Sequence, residues 1–88
     1  MKVRDLTELQ WVRAVMASGE GRRIREGADV SQAEAGSPAG VVGSTVAHWE
    51  AGRRKPTGEP ALRYAGVLRA LDRAAKARTS GDDGDAVA

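Results

Sequence analysis

The side chains best placed to do chemistry lie between residues 44 and 55. Ser44 and Thr45 carry hydroxyls, His48 follows four and three residues on, and Arg53, Arg54 and Lys55 form a basic run. At helical spacing His48 shares a face with both hydroxyls, so the three make one donor–acceptor surface. His48 is the sole histidine and has no Asp–Ser partner pattern, which argues against nucleophilic catalysis and against a metal site. Cysteine is absent, which excludes disulfides and thiolate metal centres and suits a reducing cytoplasm. No cofactor and no small-molecule ligand are expected, and no enzymatic activity.

Charge points the same way. Net charge is +2, but Asp82, Asp83 and Asp85 sit together near the end of the chain. Without those three, 14 basic side chains face 9 acidic ones, a net +5 over residues 1–79. A basic body with a short acidic tail suits a polyanionic partner. The first residues, with Lys2, Arg4, Asp5 and Glu8, hold no continuous apolar run, so neither a signal peptide nor a membrane span is expected.

The elements that must position these side chains are all helical. Leu6, Leu9, Val12 and Met16 recur at spacings of three and four over residues 5–18, and Trp11 and Val15 widen that stripe. Gly19 and Gly21 interrupt it before a second piece over 20–28, separate from the first or bent from it. S-Q-A-E over 31–34 is a capping box that starts another helix. Gly36 and Pro38 make that helix short or distorted. Gly40 supplies a turn, a further helix covers 43–51, and Gly52 ends it. A last helix, entered through Pro60, carries Ala61, Leu62, Ala65, Leu68, Leu71 and Ala75 on one face over 58–78. The remainder, 79–88, has nothing to bury and is expected to be a disordered acidic tail.

Two short helices about a glycine turn are the helix-turn-helix pattern. Residues 31–57 read S-Q-A-E-A-G-S-P-A-G-V-V-G-S-T-V-A-H-W-E-A-G-R-R-K-P-T, which resembles the Cro/phage-repressor helix-turn-helix family (the xenobiotic-response-element-like domains). The matching positions are Ser31, Gln32, Glu34, Gly40, Val41, Ser44, Thr45, Val46, Trp49, Glu50, Gly52 and Pro56. Flanking segments over 19–71 also resemble small actinobacterial or actinophage members. The resemblance implies an all-α, lambda-repressor-like bundle of about five helices over residues 1–78.

It also implies roles. Gly43, Ser44, Thr45 and His48 would meet base edges in the major groove of double-stranded DNA. Gln32, Arg22, Arg23, Arg53, Arg54 and Lys55 would contact the phosphate backbone. Arg25 would pair with Glu50 as a structural ion pair. The implied function is a small Cro-like regulator, a repressor binding an inverted repeat as a homodimer. Leu6, Trp11 and Val15, or Val67 and Leu71, are the interface candidates. An antitoxin, an excision-type accessory protein and a protein–protein adaptor that has lost its DNA face are the alternatives.

The chain departs from the family pattern at Ala35, Gly36, Pro38, Ala39 and Val42. Leucine is usual at 35 and 39, alanine at 36, and Ser or Thr at 42. Read as losses, these departures predict that Ala35→Leu or Pro38→Arg stabilises the domain.

Overall fold

A left-handed Gly19 (φ 86°) separates the first two helices, α1 (Val3–Ser18) and α2 (Glu20–Gly27), so they are distinct elements. The computed structural model describes the backbone of residues 1–87 and the side chains of 1–78. Its elements continue as α3 (Gln32–Gly36), one 3-10 turn (Ser37–Ala39), α4 (Gly43–Glu50) and α5 (Gly58–Val87). The molecule is a compact all-α bundle of five helices. The expectation for 79–88 concerns a segment whose side chains lie outside the described residues. α1 begins at Val3, two residues before the expected start, because the Asp5 carboxylate accepts from the Lys2 amide at 3.1 Å.

Residues 31–51 fold as two short helices about a turn, and local chemistry dictates each boundary. Ser31 Oγ accepts from the Glu34 amide at 3.0 Å while Glu34 Oε1 accepts from the Ser31 amide at 2.9 Å. Both orphan amides are thereby satisfied. Those same Ser31 contacts hold the Glu34 carboxyl below its ordinary range. Left-handed Gly40 (φ 75°) then reverses the chain, with the Val41 amide donating back to Gly36 O at 3.1 Å. The end of α4 repeats the device: at Gly52 (φ 75°) the chain turns, and the Arg53 amide donates to His48 O at 3.0 Å.

The core is built from small residues around two large ones. Tyr64 and Leu68 of α5 are fully buried, and Ala35, Ala39, Ala61 and Ala65 let the helices close on them. Trp49 meets Tyr64 with ring centroids 5.4 Å apart, tilted by 58°, a favourable aromatic geometry. From α1, Leu9, Val12 and Met16 complete the interior.

This packing corrects the reading of the departures. Pro38 is exposed and is the second residue of the 3-10 turn, within the first turn where the amide has no helical partner to lose. Ala35 is 1 % exposed within the core cluster, so a leucine there would have to displace buried neighbours. Ala35→Leu should therefore lower stability, by about 1–3 kcal/mol of overpacking. Pro38→Arg should change it by less than about 0.5 kcal/mol, as surface substitutions do. Denaturant midpoints of both variants check this, and a more stable Ala35→Leu would mean a void at that site.

Candidate nucleic-acid interface

On α4, Val46 and Trp49 point inward and are buried, which turns Ser44 outward. Thr45 and His48 lie half-buried on the flanks of that outer face. No side chain caps the helix: Val42 stands at the N-cap in an extended conformation, its carbonyl accepting from Thr45 and Val46 at 3.0 and 3.4 Å. The amides of Gly43 and Ser44 have no protein partner among the described residues. Unpaired amides at a helix start attract anions. Gly43 itself is fixed by packing. A Cβ there would lie 3.1–3.3 Å from the backbone and side chain of Ala33, so glycine is what lets α4 approach α3.

A buried ion pair holds α4 in place. Arg25 of α2 grips Glu50 at the end of α4 with two hydrogen bonds, Nε to Oε2 at 2.6 Å and Nη2 to Oε1 at 2.9 Å. The third guanidinium nitrogen donates to Val30 O at 2.9 Å. Gln32 of α3 adds a bond from Nε2 to Glu50 Oε1 at 3.0 Å. α2 and α3 thus both grip the one carboxylate of α4, and the α2–α3 loop is tied in through Arg25. Burial acts to raise the Glu50 carboxyl, but the bonds from Arg25 and Gln32 and the Arg25 charge outweigh it and leave it below its ordinary value. The pair has the geometry the resemblance implied for Arg25 and Glu50.

The expected backbone contacts divide into four groups. Gln32 already spends one amide hydrogen on Glu50, so only its second is left for an anion. Arg22 is exposed on α2, bonded to Glu26 at 3.1 Å, and close enough to Glu50 to lower that carboxyl further. Arg23 pairs with Glu20 at 3.1 Å and lines a cleft with Asp72 and Ala75 of α5, on the flank away from this network. Arg53, Arg54 and Lys55 are exposed, and none has an ion-pair partner among the described residues. Their loop is tethered to α1 by Arg13, whose Nε donates to Pro56 O at 2.8 Å. Arg13, Arg54 and Lys55 therefore line one shallow cleft floored by Met16 and Trp49.

Four of the five interface candidates on α1 and α5 are partly covered within the chain. Trp11, Val15 and Val67 are half-buried against the core, and Leu71 is half-buried. The Arg69 guanidinium lies 3.8 Å over the Trp11 ring and grips Glu8 at 2.8 and 2.6 Å. That bond from Arg69 holds the Glu8 carboxyl below its ordinary range. Trp11 thus joins α1 to α5 through a cation–π contact. Leu6 alone among the five stays exposed, at 54 %.

Sequence reasoning missed Tyr64. Its hydroxyl is buried without a hydrogen-bond partner, beside the Arg25–Glu50 pair. Burial, then the Glu50 charge, pushes it up to about 12, so it stays protonated.

Among the described residues no cluster of three or more His, Cys, Asp or Glu is placed to hold a metal ion, and no helix is long and apolar enough to cross a membrane. The fold and site define an all-α domain whose α4 presents a polar face, with a partnerless cationic loop at its far end. No protein-family model, curated protein or solved structure matches the chain.

Proposed function

We propose that this chain is a sequence-specific double-stranded DNA-binding protein, acting as a small Cro-like repressor. The segment 31–51 serves as its helix-turn-helix, with α4 entering the major groove. The observation that carries the reading is the pairing of two features at opposite ends of one rigidly held helix. At its start stand the outward Ser44 and the free amides of Gly43 and Ser44; at its end stand Arg53, Arg54 and Lys55 without counter-charges. A groove-bound helix needs both, since base edges meet its first turn and phosphates flank it. The Arg25–Glu50–Gln32 network supports the reading because base recognition requires a helix held in one orientation.

The test is the salt dependence of duplex binding. Each phosphate contact releases counterions, so the combined Arg53→Ala and Arg54→Ala variant should lower the slope of log K against log salt by ~0.9 per contact. Binding should weaken on specific and non-specific duplexes alike. A parent that shows no salt-dependent binding to DNA is an adaptor rather than a regulator, and a double variant with the parent's slope makes the loop plain solvated surface.

Binding as a homodimer on an inverted repeat belongs to the same proposal. The apolar side chains left uncovered at the start of α1, Met1, Val3 and Leu6, are the surface it offers a second copy. Leu6→Glu should then sediment as a folded monomer with weakened operator binding, whereas an unchanged dimer would move the interface elsewhere.

A further inference from the structure

We propose that the exposed isopropyl group of Val42 reads the 5-methyl group of a pyrimidine, in ordinary DNA that of thymine. The inference rests on the DNA-binding reading and names what its helix recognises.

Val42 is 67 % exposed, and the other large hydrophobics so exposed are Met1, Val3 and Leu6, at the start of the chain. It occupies the N-cap of α4, where a Ser, Thr, Asp or Asn would accept a hydrogen bond from the first turn. Valine gives up that bond and leaves two methyl groups exposed just ahead of the first turn of α4, two residues before Ser44. The neighbouring Val41 packs against the core, so Val42 is an isolated apolar point and no wider hydrophobic patch surrounds it. Protein docking surfaces are broader than one side chain.

The composition of α4 narrows what that point meets. G-S-T-V-A-H-W-E contains no Arg, Lys, Asn or Gln, so α4 offers neither the bidentate guanine contact nor the bidentate adenine contact. Hydroxyls such as those of Ser44 and Thr45 donate or accept and discriminate weakly between bases. His48, one turn further on, is half-buried, so at the exposed first turn apolar contact is the remaining direct code, and in the major groove thymine is the base that carries a methyl group. A duplex drawn to the unpaired amides of Gly43 and Ser44 lies at the end of α4 where the exposed Val42 methyls stand.

The experiment uses a duplex enriched by the full-length parent from a random DNA pool, with thymines replaced one at a time by deoxyuridine. Uridine removes only the methyl. We expect one position per half-site where uridine weakens parent binding about fourfold, the value of one buried methyl-sized group. The same replacement should leave Val42→Ala binding almost unchanged. Val42→Thr, which keeps one methyl and supplies the missing cap, should fold at least as well as the parent and retain part of the uridine effect. At the same position, 5-methylcytosine should gain over cytosine in the parent if the methyl is read whatever base bears it. A gain missing there, with the uridine effect intact, assigns the contact to thymine. Equal uridine losses in the parent and Val42→Ala overturn the inference while leaving DNA binding standing. A parent that enriches no duplex overturns the DNA-binding reading, and this inference with it.

Discussion

Arg25→Ala should cost about 3–5 kcal/mol, the penalty for leaving one member of a buried ion pair without its partner. A domain of this size is held by of the order of 5–10 kcal/mol, so the variant should lose about a third or more of its stability and melt far below the parent. The loss exceeds an ordinary surface pair because both side chains are nearly inaccessible, at 9 % for Arg25 and 4 % for Glu50. Val30 O also loses its donor, and Glu50 keeps only Gln32. Replacing both members with apolar residues of similar volume, Arg25→Met with Glu50→Leu, should recover most of the stability, because the stranded charge is then gone. The contrast between single and double variants separates the pair's geometry from mere loss of volume. A single variant that costs less than about 1 kcal/mol would put the pair in contact with water.

The same pair gives the domain an acid limb. The folded Glu50 carboxyl lies below its ordinary value of 4.5, so its contribution to stability is complete above that value and is lost as pH falls through the folded one. Glu8, held down by Arg69, acts in the same sense. Denaturant midpoints should therefore decline below about pH 5. The double variant should decline less steeply, since it lacks one of the three carboxylates so held, Glu8, Glu34 and Glu50.

What the sequence makes legible is whatever local chemistry decides. The capping box of Ser31 and Glu34, the turns at Gly40 and Gly52 and the shortened helix before Pro38 all depend on residues within a few positions of one another. Contacts between distant segments are a different matter. Arg69 and Glu8 lie 61 residues apart, and nothing in either neighbourhood marks them as partners. Trp11 therefore reads as a free apolar side chain until α5 is in place over it. Arg25 and Glu50 can be paired from sequence only because the surrounding pattern resembles a family in which such positions pair. Tyr64 carries no such pattern, and burial of its hydroxyl follows from the register of α5 against Trp49. The left-handed Asp29 (φ 58°) is likewise invisible, because aspartate reaches that conformation without announcing it in sequence.

Small residues are the most misleading feature, and Gly36 is where the difference is largest. Its backbone is ordinary right-handed helix, with φ −72° and ψ −28°, so conformation does not require glycine there. On propensity alone Gly36→Ala should stabilise by about 1 kcal/mol. Space decides otherwise. A Cβ at this position would lie 2.6 Å from the carbonyl oxygen of Val41 and 3.2 Å from methyls of Val41 and Val46. The carbonyl belongs to the backbone just after the Gly40 turn and cannot rotate away, and the Val41 amide is itself bonded to Gly36 O. We expect Gly36→Ala to lose roughly 2–3 kcal/mol by forcing α3 from the start of α4. Gly66 supplies the control: it is exposed on α5, and an added methyl there would meet nothing within 4 Å, so Gly66→Ala should gain up to about 1 kcal/mol. Opposite signs for the two substitutions in denaturant melts would show that Gly36 is held by close approach. A gain at both would mean that the Val41 carbonyl has room to move and that α3 and α4 pack more loosely than these distances require.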